Sequence, residues 1–151
     1  MKPIAILLTV FICIATTGKA QTTEDSVKAV INKLFEGMKN SDGSLIKDAF
    51  ADSAILQTIG RSKEGNNVIR TDEVKGFVES IGKIAKGDAD ERIQFETIKI
   101  DGPLAIVWTP YKFYFKGQFS HCGVNSFQLV RLNTGWKIQY LIDTRRRQGC
   151  E

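Results

Sequence analysis

The chain of 151 residues contains one histidine, three cysteines and three prolines, and each scarcity removes a class of chemistry. One histidine and scattered cysteines give no paired-ligand spacing, so no metal site is expected. No nucleophile motif or phosphate-binding glycine loop is present, and no cofactor is expected. No repeat, low-complexity segment or Pro/Gly/Ser-rich linker offers a place to divide the chain. The only long apolar run, Ile4 to Ala15, is too short to span a bilayer, and no other run would make a stable membrane anchor. A formal charge of +4 is too small to indicate a nucleic-acid partner.

That apolar run has its own reading. It follows Met1-Lys2 and leads through Gly18-Lys19-Ala20 to Gln21, the pattern of a secretory signal peptide cleaved near Ala20. Residues 1–20 are then a signal peptide and 21–151 a single domain, exported to the periplasm or secreted. A lipoprotein would need a small residue before Cys13, where Ile12 stands. Loss of Lys2 and Lys19 leaves the mature chain at +2. The one dense basic run, Arg145-Arg146-Arg147, is either a solvated strand end or a site for an anionic partner.

Export places Cys122 and Cys150 where disulfides persist. A turn at Gly149 would return Cys150 towards Cys122, which leaves a disulfide or two free thiols as the alternatives. Cys122 acting as a nucleophile with His121 as base is disfavoured, because neighbours on a strand point to opposite faces.

Thr23 reads as the cap of a helix carrying Val27, Val30, Ile31, Leu34, Phe35 and Met38 on one stripe. Asn40-Ser41-Asp42-Gly43 ends it, and Ser44 caps a short helix over Leu45–Phe50. Ser53–Ile59 reads as a strand, followed by a hairpin or flap through Arg70. Thr71 caps a third helix with Val74, Phe77, Val78, Ile81 and Ala85 on one face, ending at Gly87. Asp88–Glu91 reads as a charged loop and Arg92–Ile100 as one strand.

Three β-rich segments follow: Leu104–Phe115, Phe119–Leu132 and Trp136–Arg145. Their short turns make an antiparallel meander. In simple register Thr109, Asn125 and Asp143 lie side by side, as do Val107, Phe127 and Leu141. Tyr111, Phe113 and His121 share that face, giving an apolar floor and a polar mouth. Pro110 cannot donate to a ladder and marks a candidate bulge; a one-residue slip would instead turn Trp108, Tyr114, Ser126 and Tyr140 inward.

Helices followed by a curved, mostly antiparallel sheet describe an α+β fold, with the N-terminal helices packed on the sheet as a cone-shaped α+β barrel. Val30-Ile-Asn-Lys-Leu-Phe-Glu-Gly-Met-Lys-Asn-Ser-Asp, Phe50-Ala-Asp-Ser-Ala-Ile-Leu, Gly135-Trp-Lys-Ile and His121-Cys-Gly-Val-Asn-Ser-Phe-Gln-Leu carry a likeness that covers nearly the whole mature chain. It resembles the nuclear-transport-factor-2-like (NTF2-like) superfamily, also called SnoaL-like or cystatin-like, and within it an exported bacterial branch labelled lumazine-binding. The resemblance implies a ligand pocket in the cone and a homodimer through the sheet, but no particular chemistry. In the ketosteroid isomerase branch, a Tyr, an Asp base and a protonated Asp do the work. The corresponding positions here are Leu34, Thr58 and Asn125, so that mechanism is not expected, although Asn125 could donate to a ligand carbonyl.

Two functions remain. One is an exported binding module for an unknown small molecule, with Thr109, Asn125, Phe127, Trp108 and Tyr114 as contacts and the aromatic residues, Trp136 included, as stacking surfaces or simply core. The other is a small hydrolase or isomerase in which His121 and Asp143 transfer protons and Tyr111 donates a hydroxyl. Asp143 has a structural alternative, pairing with Arg145, and His121 a packed or surface one.

Overall fold

A threonine hydroxyl caps the first helix. Thr22 accepts from the Asp25 N–H at 3.1 Å while the Asp25 carboxylate reaches back to the Thr22 N–H, a capping box one residue earlier than the expected Thr23. A computed structural model describes residues 22–150; the expected signal peptide and its cleavage point lie outside the described residues. Helix α1 (Thr23–Asn40) buries Val27, Ile31, Leu34, Phe35 and Met38, the predicted stripe. Asp42, not Ser44, caps α2 (Gly43–Ala49), accepting from the N–H groups of Ser44 and Leu45. The two helices approach closely at Gly37, where a Cβ would stand 2.7 Å from Ile46 Cγ1.

Strands β1 (Phe50–Arg61) and β2 (Asn67–Asp72) form an antiparallel hairpin. Thr71 belongs to it and caps nothing: it faces Gln57 across the ladder, and its hydroxyl accepts from the Gln57 amide at 3.1 Å. Helix α3 (Val74–Ile81) begins after Glu73 and stops at Gly82, short of the expected Gly87. The expected charged loop and single strand become β3 (Ala89–Ile93) and β4 (Thr97–Asp101). The meander is β5 (Leu104–Phe115), β6 (Gln118–Leu132) and β7 (Gly135–Thr144). The sheet runs β2-β1-β7-β6-β5-β3, with β4 also on β5; β1 and β7 pair parallel and every other pair is antiparallel.

The expected register holds where it matters. Thr109 faces Asn125, which faces Asp143; Val107 faces Phe127, which faces Leu141. Pro110 stays in step with Val124 on β6, and its irregularity falls on the opposite edge. Its carbonyl accepts from Gln94 at 2.9 Å, so its missing N–H would have pointed the same way. There the ladder shifts by one residue, between Ile93↔Tyr111 and Thr97↔Trp108, and the expected strand splits into β3 and β4.

The inner face of the meander packs on α1. Phe127, Leu129 and Ile138 are fully buried, and Phe35 meets Phe127 edge-on with centroids 6.2 Å apart. Burying a side chain of this size stabilises the fold by roughly 1.5–3 kcal/mol. Cys122 bridges backbone to Arg146 and is disulfide-bonded to Cys150, which resolves the choice between a bridge and free thiols. Beside it Gly123 permits a close crossing: a Cβ there would lie 1.8 Å from the Thr144 carbonyl oxygen and 2.8 Å from a Tyr111 ring carbon.

Three substitutions test this packing and the bridge. Gly123→Ala should cost about 3 kcal/mol in urea unfolding, at the upper end of overpacking because the clash is with backbone. Gly76→Ala, where a Cβ meets nothing within 4 Å on a helix, should gain roughly 0.5–1 kcal/mol; equal midpoints for the two variants would refute the crossing. Opening the disulfide by Cys150→Ser should cost roughly 3–4 kcal/mol through the freed 28-residue separation, and an unchanged midpoint would show that the bridge does not constrain the unfolded chain.

Candidate functional site

The helices cover the sheet incompletely, and a cavity of about 210 Å³ is left between them. Its floor is apolar: Leu34, Phe35 and Met38 from α1, Phe77 and Ile81 from α3, with Leu56, Phe113 and Leu141 from the sheet. Its rim is polar: Gln57, Thr58, Asp72, Glu91, Tyr111, His121, Asn125, Asp143 and Arg145.

Asp143, only 8% exposed, organises the rim. The Thr58 hydroxyl donates to its Oδ1 at 2.5 Å, and Arg145 Nε donates to Oδ2 at 2.8 Å. The Tyr111 hydroxyl lies 3.2 Å from Oδ2 and 2.9 Å from the Thr144 carbonyl, and its single proton serves one of them. Arg145 Nη2 also donates to the Thr58 hydroxyl oxygen at 3.2 Å. Residues from β1, β5 and β7 therefore converge on one carboxylate, as a buried charge requires. Burial, and then the nearby Asp143, raise the Tyr111 phenol well above its ordinary range, so it remains a neutral hydroxyl.

Glu91 stands apart from this cluster. It enters the cavity from β3, where it faces Phe113, and its Oε1 accepts from the Asn125 amide at 2.8 Å. Burial pushes its carboxyl up to about 7, with Asp143 adding to the rise against the opposing Asn125 hydrogen bond. His121 packs against Phe113 at 5.0 Å and edge-on to Tyr111 at 5.7 Å, with Nδ1 3.1 Å from the Ser120 hydroxyl. Burial and then Arg145 hold the imidazole below its ordinary value, so it is neutral at neutral pH.

The residues expected from the sequence separate into three groups. Tyr111, His121, Asn125 and Asp143 meet at the rim, and Leu141 and Phe113 line the floor. Thr109 and Phe127 face inward but lie beneath the cavity, both fully buried, and among the described residues the Thr109 hydroxyl has no hydrogen-bond partner. Trp108 and Tyr114 are on the other face. Trp108 is 45% exposed opposite Thr97 and Ser126, and Tyr114 meets Phe119 edge-on and lies under Arg92. The strand alternation that turns Thr109 and Tyr111 inward turns these two outward, which corrects their expected place in the pocket. Trp136 is core.

His121 and Asp143 make no hydrogen bond with each other, and Asp143 has the Arg145 partner that its structural alternative named. Glu91, Thr58 and Arg145 complete the rim. Glu91 was hidden by the charges of Asp88–Glu91, which read as a loop; the alternation Ala89, Glu91, Ile93 was the available signal. Leu34, Thr58 and Asn125, the positions matched to the isomerase groups, all reach the cavity, but with none of that enzyme's three groups. Among the described residues no group of three His, Cys, Asp or Glu converges to hold a metal.

No known family profile matches the chain, and no curated protein matches it in sequence. Solved structures do match in shape. An NTF2-like protein of unknown function from Shewanella baltica superposes with a TM-score of 0.64 at 15% identity, covering 83% of this chain and 94% of that one. A domain of unknown function with a cystatin-like fold from Nostoc punctiforme gives 0.64 at 16% identity, covering 88% and 82%. An NTF2-like protein of unknown function from Silicibacter pomeroyi gives 0.63 at 14%, covering 83% and 99%. The architecture is thus the NTF2-like, cystatin-like α+β cone.

The Glu91 environment has a measurable consequence for stability. Folded, the carboxyl keeps its proton up to about pH 7, whereas an unperturbed Glu loses it near 4.5. The native state therefore binds the extra proton between those values, and stability falls by ~3 kcal/mol as pH rises through that window. Glu91→Gln removes the loss. In denaturant unfolding it should match the parent at about pH 4 and exceed it by ~3 kcal/mol at pH 8; parallel pH profiles would refute the assignment.

Proposed function

We propose that this chain is an exported binding protein that holds a small, mostly apolar molecule in its cone and does not catalyse its conversion. One observation carries the reading: a cavity with an apolar floor whose most prominent acid, Asp143, is tied into the scaffold by Thr58 and Arg145. Such a carboxylate orders the walls and is poorly placed to take a substrate proton. The floor supplies the burial that drives binding, and Asn125, Glu91 and His121 give a ligand its orientation. A flat heteroaromatic of the lumazine type, the ligand suggested by the family resemblance, would lie against Phe35 and Phe113, since Trp108 and Tyr114 face away from the cavity.

Proton transfer by His121 and Asp143 in a hydrolase or isomerase is the weaker reading, because the two make no mutual hydrogen bond. The outer sheet face supports a homodimer. Leu104, Ile106 and Trp108 are each more than two-fifths exposed and follow one another on that face, as an interface core requires. Export is supported by Met1 to Ala20 and is consistent with the Cys122–Cys150 bridge.

Native mass spectrometry of the protein from its own host tests these parts together. The expected species is a dimer of chains beginning at Gln21, each with one disulfide and one non-covalent small molecule lost on activation. A ligand-free protein that also fails to shift in melting temperature against a panel of small aromatic and pteridine compounds would refute the binding role.

A further inference from the structure

We infer that the cone's ligand carries a protonated amine, which seats on the Glu91 carboxylate while its apolar body lies along Phe35, Phe77 and Leu141. This rests on the reading of the cavity as a small-molecule site and names the ligand's chemical class.

The rim's hydrogen-bonding balance leads to it. Most donors facing the cavity are engaged within the protein: Thr58 and Arg145 Nε on Asp143, Arg145 Nη2 on Thr58, Tyr111 on Asp143 or the Thr144 carbonyl, and the Asn125 amide on Glu91. Acceptors are left over. Among the described residues, Glu91 Oε2 and Asn125 Oδ1 receive no protein donor, and neither does the Asp72 carboxylate at the flap side of the rim. The acceptors left over include the Glu91 carboxylate, which enters the cavity with one oxygen unpaired, and such a group is complementary to a ligand that donates: an alkylammonium has three N–H donors and no acceptor.

Charge points the same way. The groups facing Glu91 are Asp143 on β7 and Arg145 just past its end, which neutralise each other; Tyr111 from β5 and His121 from β6, both uncharged at neutral pH; and Asp72 from β2. The cavity-lining residues of α1 and α3 are all apolar. No fixed cation is therefore devoted to Glu91, and a ligand cation would supply the partner that its ionised form lacks. The carboxyl, raised to about 7 by burial, would ionise as the amine arrives. Binding then releases a proton near neutrality, and affinity falls as pH drops below that value while the amine itself stays protonated.

Isothermal titration of 2-phenylethylamine, 2-phenylethanol and 3-phenylpropionate into the full folded protein at pH 6 and pH 8 separates the possibilities. The amine should bind at least tenfold tighter than the alcohol at pH 8. It should weaken by about tenfold at pH 6 as Glu91 protonates, and release a proton detectable as a buffer-dependent enthalpy. Glu91→Gln should abolish the pH dependence and bring the amine to the alcohol's affinity. If the alcohol equals the amine, if the propionate exceeds it by engaging Arg145, or if Glu91→Gln leaves amine binding unchanged, the amine assignment is overturned and the cavity remains a binding site. If none of the three binds at millimolar concentration, the amine assignment falls and the small-molecule reading of the cavity falls with it. The pH dependence of the parent protein stands as a test even if the variant folds poorly.

Discussion

The open end of this fold depends on the carboxylate of Asp143. Placing a charged group at 8% exposure is costly unless hydrogen bonds replace its water, and here the replacements come from separate parts of the sheet: Thr58 on β1, Tyr111 on β5, and Arg145 just past the end of β7. Because β1 and β7 are parallel neighbours in register at Thr58↔Asp143, one contact fixes the hairpin-bearing edge against the meander. The tail beyond it is held by the Cys122–Cys150 bridge and by the close crossing at Gly123. The rim of the cavity is therefore a cross-linked part of the scaffold, and its geometry is set before any ligand arrives.

That rigidity decides which groups remain available. A carboxylate whose oxygens are engaged by Thr58, Tyr111 and a guanidinium is held in place as part of the wall. Glu91 differs in each respect. Among the described residues it has one hydrogen bond, to a neutral amide, and it enters from β3, an edge strand that pairs there with β5 alone. Two carboxyl groups in one rim thus have opposite roles: Asp143 maintains the wall, and Glu91 is the group that an incoming molecule can change.

Much of this arrangement was legible in the chain because period-two alternation leaves little freedom once two short turns fix the meander. Thr109, Asn125 and Asp143 align across three strands for that reason, and so do Val107, Phe127 and Leu141. Which inward residues reach the cavity was not legible, since it depends on how far α1 and α3 extend over the sheet; Thr109 and Phe127 are covered and Asn125 is not. Trp108 and Tyr114 drew notice by composition, yet alternation alone places both outside. Glu91 escaped because the charges of Asp88–Glu91 read as a loop outside the strand expected from Arg92, whereas pairing with β5 starts the strand at Ala89. The break of that expected strand into β3 and β4 falls opposite Pro110, which withholds an N–H from this edge.

The comparison structures share this cone at 14–16% identity, a level at which floor and rim answer to different constraints. The floor is bound by packing: any sequence that covers this sheet with these helices must place apolar volume where Leu34, Phe35 and Leu141 stand. The rim is constrained only to satisfy its own polar groups, and many residue sets can do that. Thr58 and Asn125, the two rim positions that the resemblance matches to isomerase groups, carry neither group, so the cone alone does not assign a chemistry. Function must therefore be read from the rim's particular groups, one acid tied into the wall and another left open, and not from the cone that holds them.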